Sequence, residues 1–333
     1  MKIAVVILNW NGIQLLEKFL PSIIKYSSEA TVYIADNDST DDSISYAKAF
    51  FPSVKIVKND SNLGFAGGYN EALKYIDADI YALANSDIEV TENWLKPIIE
   101  TFENEPQTAI IQPKILDYKN KEYFEYAGAA GGFIDQYGYP YCRGRIFDTL
   151  EKDKGQYDDN CEIFWASGAC FFIRSSVYKE LKGFDEDFFA HQEEIDLCWR
   201  AFNKGHKIKY NANSIVYHVG GATLQQGNPM KTELNFRNSL LMLTKNLPRK
   251  GIYMILFFRI VLDGIAGIQF LFQGKLKHLL AILKAHFAFY SVFPIHYKKR
   301  GNFQSEKYYT TKSIVYLYFI KGIKVFNAIL TLK

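Results

Sequence analysis

Cysteine is scarce in this chain of 333 residues: there are four, Cys142, Cys161, Cys170 and Cys198, and no two form a CxxC pair. That excludes a zinc knuckle and a dense disulfide framework, and a reducing cytoplasm is the simplest setting. Acidic residues are scarce in one region. Residues 231–333 hold 17 basic and three acidic side chains, a balance of +14, whereas residues 1–230 hold 22 basic and 33 acidic, a balance of −11. The overall charge of +3 hides this split, and the last hundred residues are expected to meet something negative. A long apolar run near the start is also missing. Residues 3–8 are too few for the core of an export signal and are followed at once by Asn9, Asn11 and Gly12, so they read as a first buried strand. Disorder is excluded by the composition, 48% hydrophobic and 23% charged, which suits a large core.

Short apolar runs alternate with segments of helical period through the first hundred residues, the pattern of an α/β fold with a mostly parallel sheet. Strands are expected over 3–8, 31–35, 54–57 and 80–84, and helices over 14–25, 42–50, 68–75 and 92–103. Residues 117–160, rich in Tyr, Gly and charge, read as an excursion of hairpins and loops. Residues 161–174 read as a buried strand pair, followed by a helix over 193–204 and strands over 207–210 and 214–217. A catalytic domain over 1–247 and a helical C-terminal region over 248–333 follow.

Three of the early strands end in polar clusters, and in open α/β sheets those ends form the ligand crevice. Asn9 closes the first. Asp36, Asn37 and Asp38 close the second, where a carboxylate can accept hydrogen bonds from a nucleobase or ribose. Asp41 is read as a helix cap. The loop Asn62-Leu63-Gly64-Phe65-Ala66-Gly67-Gly68-Tyr69-Asn70 lacks the GxGxxG spacing and follows the third strand, which disfavours a dinucleotide-binding dehydrogenase. Its glycines suit either close approach to a nucleotide or close helix packing. Asn85, Ser86 and Asp87 close the fourth strand, and a hard divalent cation needs only one or two carboxylates there, so Asp87 is the candidate ligand. His218 ends a later strand, before Gly220 and Gly221, and offers a nitrogen ligand. In His191-Gln192-Glu193-Glu194-Ile195-Asp196, the acidic side chains either satisfy a helix N-terminus or supply a general base: Glu194 first, with Glu193 and Asp196 as further candidates. Arg237 is a candidate phosphate clamp or a solvated helix side chain.

Eight segments carry these residues in order: VVILNWNG, IADNDSTDDS, NLGFAGGYNEAL, LANSDIEV, SGACFFIR, GFDEDFFAHQEEIDLCWRA, VYHVGGAT and FRNSLLMLTKNLP. Together, over residues 3–247, they resemble the family 2 inverting glycosyltransferases, especially a bacterial rhamnosyltransferase-like branch. The resemblance implies a GT-A fold, a nucleotide-diphosphate sugar donor, and Mg²⁺ or Mn²⁺. It places the nucleotide base near Asp36, the cation on Asp87 and His218, and the catalytic base in Glu193-Glu194. Asn9, Asn37, Asp38, Asn62, Gly64, Gly67, Asn70, Asn85 and Ser86 are then expected donor contacts, and Arg237 a helper at the diphosphate. Two positions depart from the family pattern: Asn85 stands where a DxD-like element often begins with Asp, and Glu194 replaces the second acid of a Glu-Asp pair. A noncatalytic nucleotide-sugar-binding module and a sugar nucleotidyltransferase are the rival readings. The latter should carry a basic glycine-rich loop after the first strand, where this chain has Asn-Trp-Asn-Gly.

The C-terminal region combines Leu, Ile, Phe and Tyr with spaced Lys and Arg, as basic helices do at an anionic membrane surface. Arg259 and Asp263 interrupt residues 251–272 and are expensive in hydrocarbon. A monotopic anchor at the cytoplasmic face of the inner membrane is therefore favoured over a span, with a helical cap or an oligomer interface as the alternative. The expected acceptor is a lipid-linked glycan of surface polysaccharide assembly, and no nucleic-acid partner is expected.

Overall fold

A computed structural model describes residues 1–220 and 227–331 of the chain. Its first half follows the apolar runs: β1 (Ile3–Asn9), β2 (Thr31–Asp36), β3 (Lys55–Lys58) and β4 (Ile80–Asn85) lie parallel in the order β3–β2–β1–β4. Helices α1 (Ile13–Lys25), α2 (Ser43–Phe50) and α3 (Gly64–Ala72) make the crossovers. β1 is buried between β2 and β4, which is why its apolar run is continuous and does not alternate. α1 buries Leu16, Phe19, Leu20 and Ile23, one helical face. α3 begins four residues earlier than the sequence predicts, so Gly67 and Gly68 lie inside it. A Cβ at Gly68 would meet Leu8 Cδ1 at 2.8 Å, and one at Gly67 would meet Leu63 Cβ at 2.8 Å.

Further elements extend the sheet: β5 (Ile88–Val90), α4 (Lys96–Asn104) and β6 (Thr108–Asp117). A separate antiparallel sheet of β7 (Gly132–Ile134), β8 (Pro140–Cys142), β9 (Arg145–Ile146) and β10 (Thr149–Leu150) fills the expected excursion. The chain then returns through β11 (Cys161–Glu162), β12 (Cys170–Arg174), α5 (Ser175–Glu180), α6 (Glu193–Asn203) and β13 (Lys207–His218). The main sheet runs β11–β13–β6–β12–β4–β1–β2–β3, with β5 on β13. It is mixed, because β5, β11 and β12 are antiparallel to their neighbours. β11 and β12 therefore do not pair with each other as expected. β6 was not expected at all, since Gln112, Pro113 and Lys114 break its apolar pattern. All three are buried: Gln112 donates to the carbonyls of Gly128 and Ala129 and accepts from Ser167 N–H, and Lys114 meets Asp153 and Asp158. The expected strands 207–210 and 214–217 are one strand with a register shift between Asn211 and Ile215.

Three long helices follow: α7 (Pro229–Asn246), α8 (Ile252–Phe272) and α9 (Leu276–Lys298), then the short α10 (Phe326–Leu330). α9 is tied to the body at both ends of α7, by Thr232 Oγ1 to His278 Nδ1 (2.7 Å) and by Arg300 to the carbonyls of Thr244 and Leu247. Near its C-terminus, Lys299 Nζ lies 2.7 Å from Asp185 and 2.6 Å from Asp187, while Lys245 of α7 bridges Asp185 and Asp196. The two charges of α8 face inward. Arg259 Nε donates to Asp263 Oδ1 (3.2 Å), Nη1 donates to the carbonyl of Gly138, and the guanidinium lies 3.6 Å from the centre of the Tyr139 ring. His286 of α9 completes the cluster, 3.3 Å from Asp263 Oδ2. Farther on, Phe326 packs on Phe133 and Tyr141 of the small sheet.

Removing one member of this buried cluster strands the other charge. Asp263→Ala is expected to lower the free energy of unfolding by about 3–5 kcal/mol, measured by chemical denaturation against wild type.

Candidate active site

Parallel strands of one sheet end at one edge, and the polar clusters therefore meet there. Asn9, Asp36 and Asn85 terminate β1, β2 and β4, and His218 terminates β13. β12 runs the other way, so the turn before it, Ser167-Gly168-Ala169, reaches the same edge: Cys170 lies opposite Ala84, and Asn85 N–H donates to the Ala169 carbonyl. β5 folds back on β13 with Ile88 opposite His218, which swings Asp87 against the imidazole.

The resulting cluster is tight and buried. His218 Nε2 lies 3.1 Å from Asp87 Oδ1 and 3.5 Å from Asn85 Nδ2, and His218 Nδ1 lies 3.2 Å from Glu125 Oε1. Burial pulls the imidazole down, but the carboxylates of Glu125 and Asp87 outweigh it and push it up to about 10. One carboxylate oxygen and one imidazole nitrogen side by side, with a second carboxylate behind the ring, suit Mn²⁺ or Mg²⁺. Binding would release the imidazole proton. A second acidic group, Asp185, Asp187 and His296, has ligand atoms within 4.8 Å of one another. It already holds the ammonium groups of Lys245 and Lys299, and it works as a clasp for α9.

The remaining candidates fall into two sets. On the β1–β2 side, Asn9 is fully buried and donates to Ser43 Oγ (2.9 Å) and Ser39 Oγ (3.1 Å), and Asp36 is buried with Ser39 N–H on its carboxylate. Asp38 has φ of 61° and points outward, 3.6 Å from Lys58. Ser86 lies by Gly12, where a Cβ would approach Asn9 Oδ1 to 2.5 Å. The amides around the glycine loop are occupied within the protein. Asn37 Nδ2 donates to Asn62 Oδ1 and the Gly64 carbonyl, Asn62 Oδ1 accepts Gly64 N–H, and Asn70 binds the backbone of Phe184 through both amide atoms. They fix the start of α3, where Gly64 (φ +70°) lies so close to Phe189 that a Cβ would touch its ring at 2.7 Å.

The second set surrounds the start of α6. Phe189, His191 and Gln192 all have positive φ, strain held in place by the neighbouring helix. Asn238 Nδ2 donates to the carbonyls of Phe188, Ala190 and His191, and Arg237 Nη2 donates to that of Asp187 (2.9 Å). Glu193 is buried, and burial together with the charge of Glu194 raises it well above the usual carboxylate range. Glu194 stands over Gly168, whose Cβ would lie 3.7 Å from its carboxyl carbon, and burial pushes it up to about 7. Asp196 is fully buried, with oxygens held by Arg200, Lys245 and Asn246. The structure thus brings Asp87, Asn85 and His218 together, with Glu194 one turn away across Gly168-Ala169. Asp196 and Asn70 face other partners. The Gly221–Thr223 end of the VYHVGGAT motif lies outside the described residues.

Sequence reasoning missed Glu125 and Arg145. Arg145 is buried beneath Tyr126, whose carbonyl accepts its Nε–H at 2.8 Å, and carries its charge near Glu125. Their signal was the run Ala127–Gly132, small residues that let a loop pack against the sheet; a Cβ at Gly128 would lie 2.3 Å from Ser167 Cβ. In protein stripped of metal by chelator, Glu125→Gln is expected to lower the titration midpoint of His218 below about 10, read from its imidazole NMR resonances.

Residues 4–182 match the family model described as Glycosyl transferase family 2. An N-acetylglucosaminyl-diphospho-decaprenol L-rhamnosyltransferase of Mycobacterium tuberculosis is 25% identical over 219 residues, 61% of this chain and 71% of that protein. Among solved structures, GalNAc-T7 with UDP, GalNAc and Mn²⁺ aligns at a TM-score of 0.59 and 18% identity, over 75% of this chain and 48% of that one, so this chain spans about half of it. A mannosyltransferase of Pyrobaculum calidifontis in complex with GDP-Man and Mn²⁺ aligns at 0.53 and 12%, over 90% and 83%. These likenesses show a shared GT-A glycosyltransferase fold.

Proposed function

The chain belongs to glycosyl transferase family 2, and we propose that it moves a sugar, with inversion, from a nucleoside-diphosphate donor to a hydroxyl of a lipid-linked glycan. The observation that carries this reading is the 3.1 Å approach of Asp87 and His218 at the strand-end edge, with the raised carboxyl of Glu194 across the Gly168-Ala169 turn. In this reading the donor lies along the ends of β1, β2 and β4, its base toward Asp36 and its diphosphate toward Asp87. Asp87 and His218 would hold a divalent cation, which would supply positive charge to the departing diphosphate. Glu194 takes the proton of the acceptor hydroxyl as that oxygen bonds to the anomeric carbon. The bond from that carbon to the diphosphate breaks on the opposite face, and its electron pair leaves with the diphosphate. A base with a proton affinity near neutrality is well matched to this step. Asp196 is left out, because its oxygens are taken by Arg200, Lys245 and the Asn246 amide. Arg237 and Asn238 act by holding the loop that aims Glu194.

The acceptor class is supported by the decaprenol-linked substrate named for the mycobacterial relative and by the C-terminal helices. α8 and α9 are long and apolar enough to cross a membrane. Yet α8 turns Arg259 and Asp263 onto the body and exposes Tyr253, Phe257, Val261, Ile265, Ile268 and Phe272, a continuous apolar stripe. A helix docked by one face and greasy on the other lies in the plane of the interface. We place this face on the cytoplasmic surface of the membrane.

Two tests follow. Glu194→Gln is expected to reduce turnover by about 100-fold or more while nucleotide-sugar binding persists, and full activity would refute its role. In wild type, kcat/KM is expected to rise as pH climbs through about 7, because the ionised carboxylate is the active form. For the membrane, Gln273→Cys in the α8–α9 turn is expected to react with an impermeant thiol reagent from the side that carries the catalytic domain. Labelling from the opposite side alone would mean that the hairpin crosses.

A further inference from the structure

Beyond the strand-end edge, the helices enclose a second site. The first turns of α7 and α9 lie side by side and, with Phe189, wall a groove of about 610 Å³. Its floor is apolar, Leu234 and Ala281, and Leu280 stands at its rim. Three cations line it, Arg237, Lys277 and Lys284, against one acid, Glu233, which lies 2.9 Å from Lys284. The lining therefore carries a balance of two positive charges, and the positive ends of two helix dipoles add to it. The volume falls within the ordinary range of small-ligand sites, roughly 300–1,000 Å³.

Its position gives the groove two distinct ends. One end is the Phe189 loop. Phe189 packs on Gly64, its carbonyl accepts Phe65 N–H at 3.0 Å, and Arg237 and Asn238 hold the carbonyls on either side of it, five residues before Glu194. The other end is where α9 begins: Leu276 and Leu280 are exposed there at helical spacing, and the chain reaches Leu276 from Phe272, the last residue of the apolar face assigned above to the membrane. A ligand that matches must bring anionic charge to Arg237, Lys277 and Lys284 and lay apolar surface over Leu234 and Leu280. Carboxylate ligands for a metal are lacking among the described lining residues apart from the paired Glu233, so its anion would be neutralised by side chains directly.

We propose that this groove seats the diphosphate head of the lipid-linked acceptor, with the first isoprenoid units along Leu280 and Leu276. The inference rests on the glycosyltransferase reading for its biological meaning but makes a separate physical claim: a polyprenyl diphosphate binds here without metal. Full-length protein in nonionic detergent, with EDTA, is titrated with farnesyl diphosphate, and in parallel with inorganic diphosphate and farnesol. Farnesyl diphosphate is expected to bind at least about tenfold more tightly than either fragment, since charge-assisted contacts and apolar burial act together. The double variant Lys277→Ala, Lys284→Ala is expected to weaken it by about tenfold or more. Leu280→Glu, at a position 55% exposed and so compatible with folding, is expected to weaken it as well. Binding of UDP with Mn²⁺ should be unchanged in both variants.

Equal binding of farnesyl diphosphate by wild type and variants would overturn the groove, as would an affinity no better than that of inorganic diphosphate. Nucleotide binding with Mn²⁺ but no metal-free farnesyl diphosphate binding would remove this inference and leave the transferase reading standing. Farnesyl diphosphate binding that the variants abolish, in a protein that binds no nucleotide, would support the groove and remove the transferase reading.

Discussion

A buried imidazole between two carboxylates holds this molecule's chemistry together. His218 ends the longest strand of the sheet, Asp87 sits in the turn that leads into β5, and Glu125 comes from the loop excursion over the sheet. An isolated ion of this kind would be too costly to bury, whereas here the imidazole lies within ion-pair distance of both carboxylates. The contact therefore ties together segments more than 90 residues apart. It also leaves one carboxylate oxygen and one ring nitrogen adjacent at the crevice. The backing carboxylate orients the ring, as acidic partners commonly do for histidine ligands.

The start of α6 is held by a comparable device built from hydrogen bonds. Left-handed backbone at Phe189, His191 and Gln192 is unfavourable for each residue, and it persists because Asn238 collects three carbonyls at once. The segment FRN, on a helix outside the sheet, is thereby tied to the loop that leads into Glu194. Lys245 and Lys299 extend the same support, since they neutralise Asp185 and Asp187 just before the strained loop. The C-terminal helices are thus coupled to the position of Glu194 through packing and ion pairs.

The split of charge between the two parts of the chain has a structural counterpart. Some basic residues of the C-terminal region turn inward: Lys245 and Lys299 meet Asp185, part of the acidic surplus of the first 230 residues, and Arg259 pairs with Asp263 of its own helix. Others, Lys277 and Lys284, line the groove beside α7. Burial of the charged side of α8 leaves its other side apolar. One helix can consequently be soluble toward the protein and lipophilic away from it.

The strands β1 to β4 and their polar ends could be read directly from the amino-acid order, because a doubly covered parallel strand must be continuously apolar and its end must carry whatever binds in the crevice. The places of Asp36, Asp87 and His218 at or just past strand ends were legible for that reason, and that of Glu194 from the acidic first turn of a helix. β6 was not, since its Gln112 and Lys114 look exposed until Ser167, Asp153 and Asp158, 39 to 55 residues away, arrive to satisfy them. Glu125 and Arg145 were hidden in the same way inside a segment without periodicity. The amides of Asn37, Asn62 and Asn70 could have faced a ligand or their own backbone, and local pattern cannot separate the two. Hydrophobic period reports which side of an element is covered. The partner of a buried polar group is set by which distant segment folds against it, and that is a property of the assembled chain.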